Sequence, residues 1–282
     1  MQQHNLFQSS NGLWITNRDF LECLRKVQAP ECDLLFVHSE MSFGQPSADL
    51  GRRGLLEALI EVLQATGVRT IAMPAFTFSF CNGVPYDKLR SRSQMGALNE
   101  FFRVLPETER SSDPLMSVAV SGGDVSIIRD LPDTSLGRGS TFDRIHQLGD
   151  RVRFLFLGVS PAKCFTYTHY VEKCLEVPYR YDRRFTGTVI DEGTERDETW
   201  TLFVRYGGVV PTTSAKFVNA MRGERVMHEV ACGDSFISSI AEPAGYKAVE
   251  ERLLADVDYF LETPYPRERR DTDFHAENMV AL

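Results

Sequence analysis

A histidine and a glutamate stand three residues apart in Thr166-Tyr167-Thr168-His169-Tyr170-Val171-Glu172. On a helix that spacing puts both side chains on one face, within reach of each other. A carboxylate beside an imidazole fixes its tautomer and adds basicity, which a general base near neutral pH requires. The same spacing also fits an ion pair on an exposed helix face. Cys164 lies five residues before His169. A thiol paired with that imidazole would serve a hydrolase or an acyl-enzyme transferase, although a cysteine at an apolar strand end is also ordinary packing.

The elements that must position these groups can be read from periodicity. An apolar run over residues 152–159 predicts a buried strand, followed by a helix over 168–176 that carries His169 and Glu172. This sets the pair near the C-terminal end of a strand, the usual edge for sites in α/β sheets. Two further apolar runs end in small polar residues. One runs through Leu34 to Val37 and ends at His38, Ser39 and Ser42; the other covers residues 70–73 and ends at Pro74, Phe76 and Thr77. Between them, Leu55, Leu56, Leu59, Ile60, Val62 and Leu63 repeat at helical spacing before Gly67, so strand, helix and strand form a βαβ unit.

The remaining elements are less regular. A helix is predicted from an N-cap at Thr16, with Phe20, Leu21, Leu24 and Val27 on its apolar face, and another over 93–104. Residues 117–120 read as a strand. Short β-type runs with a turn at Glu192-Gly193 fill residues 186–230, and a helix over 248–261 carries Val249, Leu253, Leu254, Val257, Phe260 and Leu261. The first fifteen residues read as a flexible arm and residues 264–282 as a loose charged tail. The expected whole is one mixed α/β domain over 16–263, a mixed sheet flanked by helices with a β-rich insertion at about 186–230.

Composition removes several classes of function. The chain has 282 residues, 43% of them hydrophobic and 25% charged, so it can bury a core without disulfide or metal staples. A net charge of −8 argues against nucleic acid, which needs a clustered positive surface. None of the six cysteines forms a C-x-x-C pair, so no metal site is expected and the thiols read as reduced packing groups. Residues 1–30 lack the pattern of a signal peptide, and no apolar run is long enough to span a bilayer, so a cytoplasmic location is expected. The phosphate, dinucleotide, zinc-protease and α/β-hydrolase motifs are all missing.

Six segments in order carry a resemblance. They are Val37-His38-Ser39 with Ser42; Met73-Pro74-Ala75-Phe76-Thr77; and Arg110-Ser111 with Pro114 and Ser117-Val118-Ala119. Next come Leu136-Gly137-Arg138-Gly139-Ser140 with Asp143; the strand ending at Gly158; and Thr166 with His169 and Glu172. Across roughly residues 34–261 the chain resembles the aminoglycoside 3-N-acetyltransferase (antibiotic N-acetyltransferase) family. The resemblance implies that family's α/β fold and direct transfer of acetyl from acetyl-CoA to an amine, without a metal or a covalent enzyme intermediate. His169 would take the acceptor's proton, and Glu172 would orient His169 or help hold the acceptor. His38, Ser39, Ser42, Met73, Phe76, Thr77, Ser111 and Ser117 would line the coenzyme tunnel, and Asp113, Thr166 and Tyr170 would face the acceptor.

The implied partners are a small-molecule amine and an acyl-CoA, with neither nucleic acid nor membrane, and a homodimer is the candidate assembly. Asp113 stands where many relatives of the resembled family carry a histidine, which points to a different acceptor pocket. Residues 172–182 resemble relatives associated with surface-sugar biosynthesis, so an amino sugar on a nucleotide or a biosynthetic intermediate is the alternative acceptor. A nucleotide would need a basic pocket, for which Arg180, Arg183 and Arg184 are the nearby candidates.

Overall fold

The expected N-terminal arm is a β-hairpin. Strands β1 (Asn5–Gln8) and β2 (Trp14–Thr16) pair antiparallel around a polar turn, and Leu6 and Phe7 are fully buried. Phe7 packs 5.4 Å from Phe43, so two apolar side chains in a polar segment suffice to dock it. The computed structural model describes residues 2–212 and 215–266. Most of the expected tail, from residue 267 onward, lies outside the described residues.

Helix α1 (Asn17–Lys26) starts as its sequence dictates. Thr16 caps it, accepting from the Asp19 N–H while Asp19 reaches back to the Thr16 N–H, a complete capping box. Strands β3 (Leu34–Ser39) and β4 (Gln45–Pro46), helix α2 (Gly51–Gln64) and β5 (Thr70–Pro74) follow, with β3 and β5 parallel as the βαβ reading requires. Next come β6 (Tyr86–Asp87), α3 (Ala97–Arg103), β7 (Thr108–Arg110), β8 (Val118–Gly122), α4 (Thr141–Leu148) and β9 (Val152–Leu157). The last part holds α5 (Pro161–Cys164), α6 (Tyr167–Cys174), β10 (Arg180–Asp191), β11 (Thr194–Arg205), α7 (Lys216–Gly223), β12 (Met227–Cys232), β13 (Ser235–Ala241) and α8 (Glu242–Ala255).

Seven strands form the central mixed sheet in the order β12-β13-β9-β3-β5-β8-β7, with β9, β3 and β5 parallel at its centre. Alternate residues of a strand face opposite sides. Leu34 and Phe36 of β3 therefore join one core with Phe154 and Phe156 of β9, while Leu35 and Val37 join the other with Leu155 and Leu157. Burial on both faces explains why these strands read as unbroken apolar runs. Helices α1, α2 and α3 cover one face; α4, α6 and α8 cover the other.

The β-rich region differs from expectation in its bounds. It is the long β10–β11 hairpin, beginning at Arg180 and joined by β6, while β12 returns to the edge of the central sheet. The last helix is also displaced, running over Glu242–Ala255 rather than 248–261. Pro243 near its N-terminus suits a first turn. Leu254, expected to face inward, is 70% exposed, and Val257, Phe260 and Leu261 pack from the turns after the helix.

Candidate active site

The catalytic candidates sit on a short helix whose two ends are both specified locally. After β9 the chain turns at Gly158, whose φ is +69° and whose missing Cβ would lie 2.3 Å from the Glu40 carbonyl oxygen, so only glycine fits. Ser160 caps the single turn of α5, with Pro161 at its start, and α6 follows. At its C-terminus α6 closes in a Schellman turn: Val177 N–H donates to Glu172 O, Glu176 N–H to Lys173 O, and Glu176 takes a left-handed φ of 48°. This turn folds Tyr179 and Arg180 back over the helix face that carries His169 and Glu172.

The result is a compact ionic cluster. His169 Nδ1 lies 2.7 Å from Glu172 Oε2, and the Tyr179 hydroxyl donates to Glu172 Oε1 at 2.7 Å. Arg180 Nε pairs with Oε2 at 2.9 Å, its Nη1 donates to the Phe203 carbonyl at 3.0 Å, and its Nη2 lies 2.8 Å from His169 Nδ1. One proton must be assigned at Nδ1. The two contacts ask for opposite tautomers, since a bare Nδ1 would accept from Arg180 Nη2 but set its lone pair against the carboxylate. We place the proton on Nδ1, donating to Glu172 Oε2, so the Arg180 Nη2 contact is not a hydrogen bond and Nε2 is the basic nitrogen. Burial, and then the Arg180 charge, hold the His169 pKa down to about 4, against the opposing pull of Glu172. Burial pushes Glu172 upward, but Arg180, His169 and Tyr179 outweigh it and bring its carboxyl to about 2. At neutral pH the pair is therefore a neutral imidazole on an ionised carboxylate.

His169 keeps 16% of its side chain open, toward a cavity of about 480 Å³. Val159, Pro161, Phe165, Phe217 and Leu261 supply apolar walls, while Thr166, Thr168, Arg180 and Arg205 supply polar groups. Arg205 arrives from the other strand of the hairpin, directly opposite Arg180. Cys164 also lines the cavity, but its thiol donates to the Ser160 carbonyl at 3.6 Å, and burial followed by the charge of Glu40 pushes its pKa strongly up. A thiol so held is a poor nucleophile.

Of the expected site residues, the structure brings His169, Glu172 and Thr166 to this cavity. None of the eight coenzyme candidates lines it. Met73 and Phe76 are core side chains, and His38 is buried and stacked on Phe156 at 5.2 Å. Ser111 Oγ accepts from the Val118 N–H, and Ser117 Oγ donates to the Ala75 carbonyl, both deep in the protein. Thr77 and Ser79 share a hydrogen bond between hydroxyls. Ser39 donates to Asn99, and Ser42 donates to the Gly158 carbonyl, which ties the β3 loop to the turn before α5. Asp113 is a buried turn carboxylate that accepts from the Leu115 and Met116 N–H groups and the Ser135 hydroxyl. Tyr170 points to α4, where its hydroxyl donates to Asp143. Asp113 and Tyr170 thus do not face the cavity, because satisfied buried hydrogen bonds hold them elsewhere.

Tyr179 and Arg205 are site residues that local reading missed. Arg205 was within reach of the sequence: Glu192 and Gly193 both have positive φ, as a two-residue hairpin turn requires, and counting outward from them sets residue 205 opposite residue 180.

The structure thus sets a carboxylate-held histidine in a cleft beyond the end of β9, at the edge of a mixed α/β sheet. The chain belongs to the aminoglycoside 3-N-acetyltransferase family, whose model matches residues 36–253, and so stands among the CoA-dependent acetyltransferases. No curated protein matches the sequence significantly. Among solved structures, the fold is similar to the apoenzyme of aminoglycoside acetyltransferase AAC(3)-IVa, at 20% identity over 100% of this chain and 99% of that one, with a TM-score of 0.67. It is similar to AAC-IIIb in its binary complex with CoASH, at 20% identity over 89% and 98%, with a TM-score of 0.72. YokD from Bacillus subtilis is 19% identical over 86% and 94%, with a TM-score of 0.69.

Proposed function

We propose that the protein transfers an acetyl group from acetyl-CoA to an amine of an aminoglycoside or a related amino sugar, with His169 as general base. The observation that carries this reading is the His169–Glu172 pair, clamped on one side by Tyr179 and Arg180 and open to the cavity on the other. AAC-IIIb, a relative seen with CoASH, supports a CoA thioester as donor. The cavity suits the reactive end of such a donor, with apolar walls that keep water out and a basic nitrogen inside. Residues 159–166 would hold the acyl arm, and the Ser42 contact to Gly158 would brace them. Bound there, acetyl-CoA supplies an activated acyl carbon.

An amine is protonated at neutral pH and becomes a nucleophile only after losing that proton. His169 Nε2 takes it, the freed nitrogen bonds to the acyl carbon, and the second N–H proton of the adduct leaves to solvent. The C–S bond then breaks, and the departing thiolate receives a proton from the imidazolium. Glu172 holds the ring and stabilises its charged form, and Arg180 and Tyr179 hold Glu172. A positioned base of this kind contributes about 10²–10⁴ in rate, and juxtaposition of the two substrates lowers the barrier further.

The test is acceptor-dependent release of CoA thiol from acetyl-CoA, with aminoglycosides and amino sugars as acceptors. Release with at least one of them supports the reading. Failure of every amine despite bound acetyl-CoA would refute the acceptor class. Cys164→Ala is expected to retain turnover; its loss would point to an acyl-thiol route instead.

A further inference from the structure

Cys23 and Cys232 come from opposite ends of the chain and lie side by side in the fold. Cys23 is on α1, and Cys232 ends β12 on the face of the central sheet that α1 covers; both join the core around Phe43. The Cys23 thiol lies 3.8 Å from the carbonyl oxygen of Ala231, the residue before Cys232. The two thiols also share a hydrogen bond. Cys23 is partly open to solvent, whereas Cys232 is 3% exposed, and both are free thiols. The acetyl transfer proposed above uses neither.

We propose that Cys23 and Cys232 are a peroxide-sensitive pair that closes to a disulfide, fastening α1 to the edge strand β12. The partly open thiol is the one a peroxide can reach, and the buried thiol beside it is placed to resolve the product. The Cys23 thiolate attacks one oxygen of the peroxide. An S–O bond forms, the O–O bond breaks, and the oxygen that leaves takes up the proton Cys23 has lost. Sulfur is oxidised by an electron pair and the peroxide is reduced by it. The Cys232 sulfur then attacks the sulfur of the Cys23 sulfenic acid. The S–S bond forms, the S–O bond breaks, and the departing hydroxide leaves as water with the Cys232 proton.

Electrostatics favour the same order of events. The hydrogen bond from Cys232, and then the charge of Lys26, hold the Cys23 pKa below the ordinary thiol value, against burial and the charges of Asp19 and Glu22. The same contact, and burial after it, push Cys232 strongly up. Cys174 is the exposed cysteine of the six, yet partial burial of its sulfur raises its pKa. Exposure alone would select Cys174 for oxidation; thiolate character selects Cys23.

The bond forms at the base of a junction. Just past Cys232, the Asp234 carboxylate accepts from the Ser10 N–H and hydroxyl, and the Asp234 N–H donates to the Phe43 carbonyl. The Phe236 carbonyl accepts from the Gly158 N–H. This turn therefore joins the N-terminal hairpin and the loop after β3 to the segment that leads into α5. A covalent link to α1 slows local opening of β12.

The test treats the full-length reduced protein with hydrogen peroxide. Thiols titrated in denaturant are expected to fall from six to four, with a Cys23–Cys232 peptide found by mass spectrometry and full recovery on reduction with dithiothreitol. In Cys232→Ala a dimedone probe should label Cys23. In Cys23→Ser, at the partly open position, Cys232 should remain a thiol at the same dose; if Cys232→Ala fails to fold, this variant decides alone. Amide exchange in β12 should be slower in the oxidised protein. First oxidation at Cys174, a disulfide between other cysteines, or chains joined to one another overturns the proposal. So does a Cys23→Ser variant that loses thiols as fast as wild type. Unchanged exchange in β12 overturns the fastening of α1 to that strand.

Discussion

At Glu172 one carboxylate serves three neighbours, His169, Tyr179 and Arg180, and is 2% exposed. Glu172→Gln leaves the buried Arg180 without its counter-charge, and breaking such a pair costs about 3–5 kcal/mol. Urea unfolding should show that loss. The same cluster sets the response to acid. Both His169 and Glu172 have folded pKa values below their ordinary 6.5 and 4.5. The unfolded chain therefore binds more protons, and stability falls as pH drops, first from about 6.5 toward 4 for His169 and then from about 4.5 toward 2 for Glu172. In catalysis the acid limb of kcat/KM should lie well below pH 6.5; a limb at or above the ordinary histidine value would mean His169 is not held neutral. The His169–Glu172 pair was legible in the sequence because it is one helical step. Tyr179 was not, since it arrives through a helix-ending turn, and Arg205 could be found only by counting outward from the Glu192-Gly193 hairpin turn. The cofactor candidates do not line the cavity beside His169, and strand-end serines and threonines look alike in sequence whether they face a ligand or, like Ser111 and Ser117, a backbone partner.

At the scale of the element, the end of α6 decides where the cluster forms. Glu176 occupies a left-handed position that glycine fills at lower cost. Glu176→Gly should therefore raise stability by up to about 1 kcal/mol, read as a higher denaturation midpoint, with no change in acetyl-CoA binding. A lower midpoint would show that the Glu176 side chain, not the backbone turn, matters there. Helices with strong local signals, α1 with its capping box and α2 with its apolar face, stand where periodicity placed them. The final helix does not, because Val257, Phe260 and Leu261 are apolar for a different purpose. They pack after the helix has ended, and Phe260 and Leu261 close one wall of the cavity.

Among the described residues two cores are divided by the central sheet, and β3 and β9 contribute to both. Those central strands were readable as apolar runs, whereas the edge position of β12 depends on pairing across the sheet and was not. The N-terminal hairpin belongs to this scale too. Deleting residues 1–13 removes Leu6 and Phe7 from the core that holds Phe43. At about 1.5–3 kcal/mol for each buried side chain, stability should fall by roughly 3 kcal/mol or more. An unchanged unfolding midpoint would restore the view of this segment as a loose arm.

The central claim is that His169 removes the acceptor's proton. The most direct test compares single-turnover thiol release by wild type and His169→Ala at matched occupancy of acetyl-CoA, with the acceptor that wild type uses. The predicted result is a fall of about 10²–10⁴ in rate with the acetyl-CoA Kd unchanged. A variant that turns over at the wild-type rate would contradict the account.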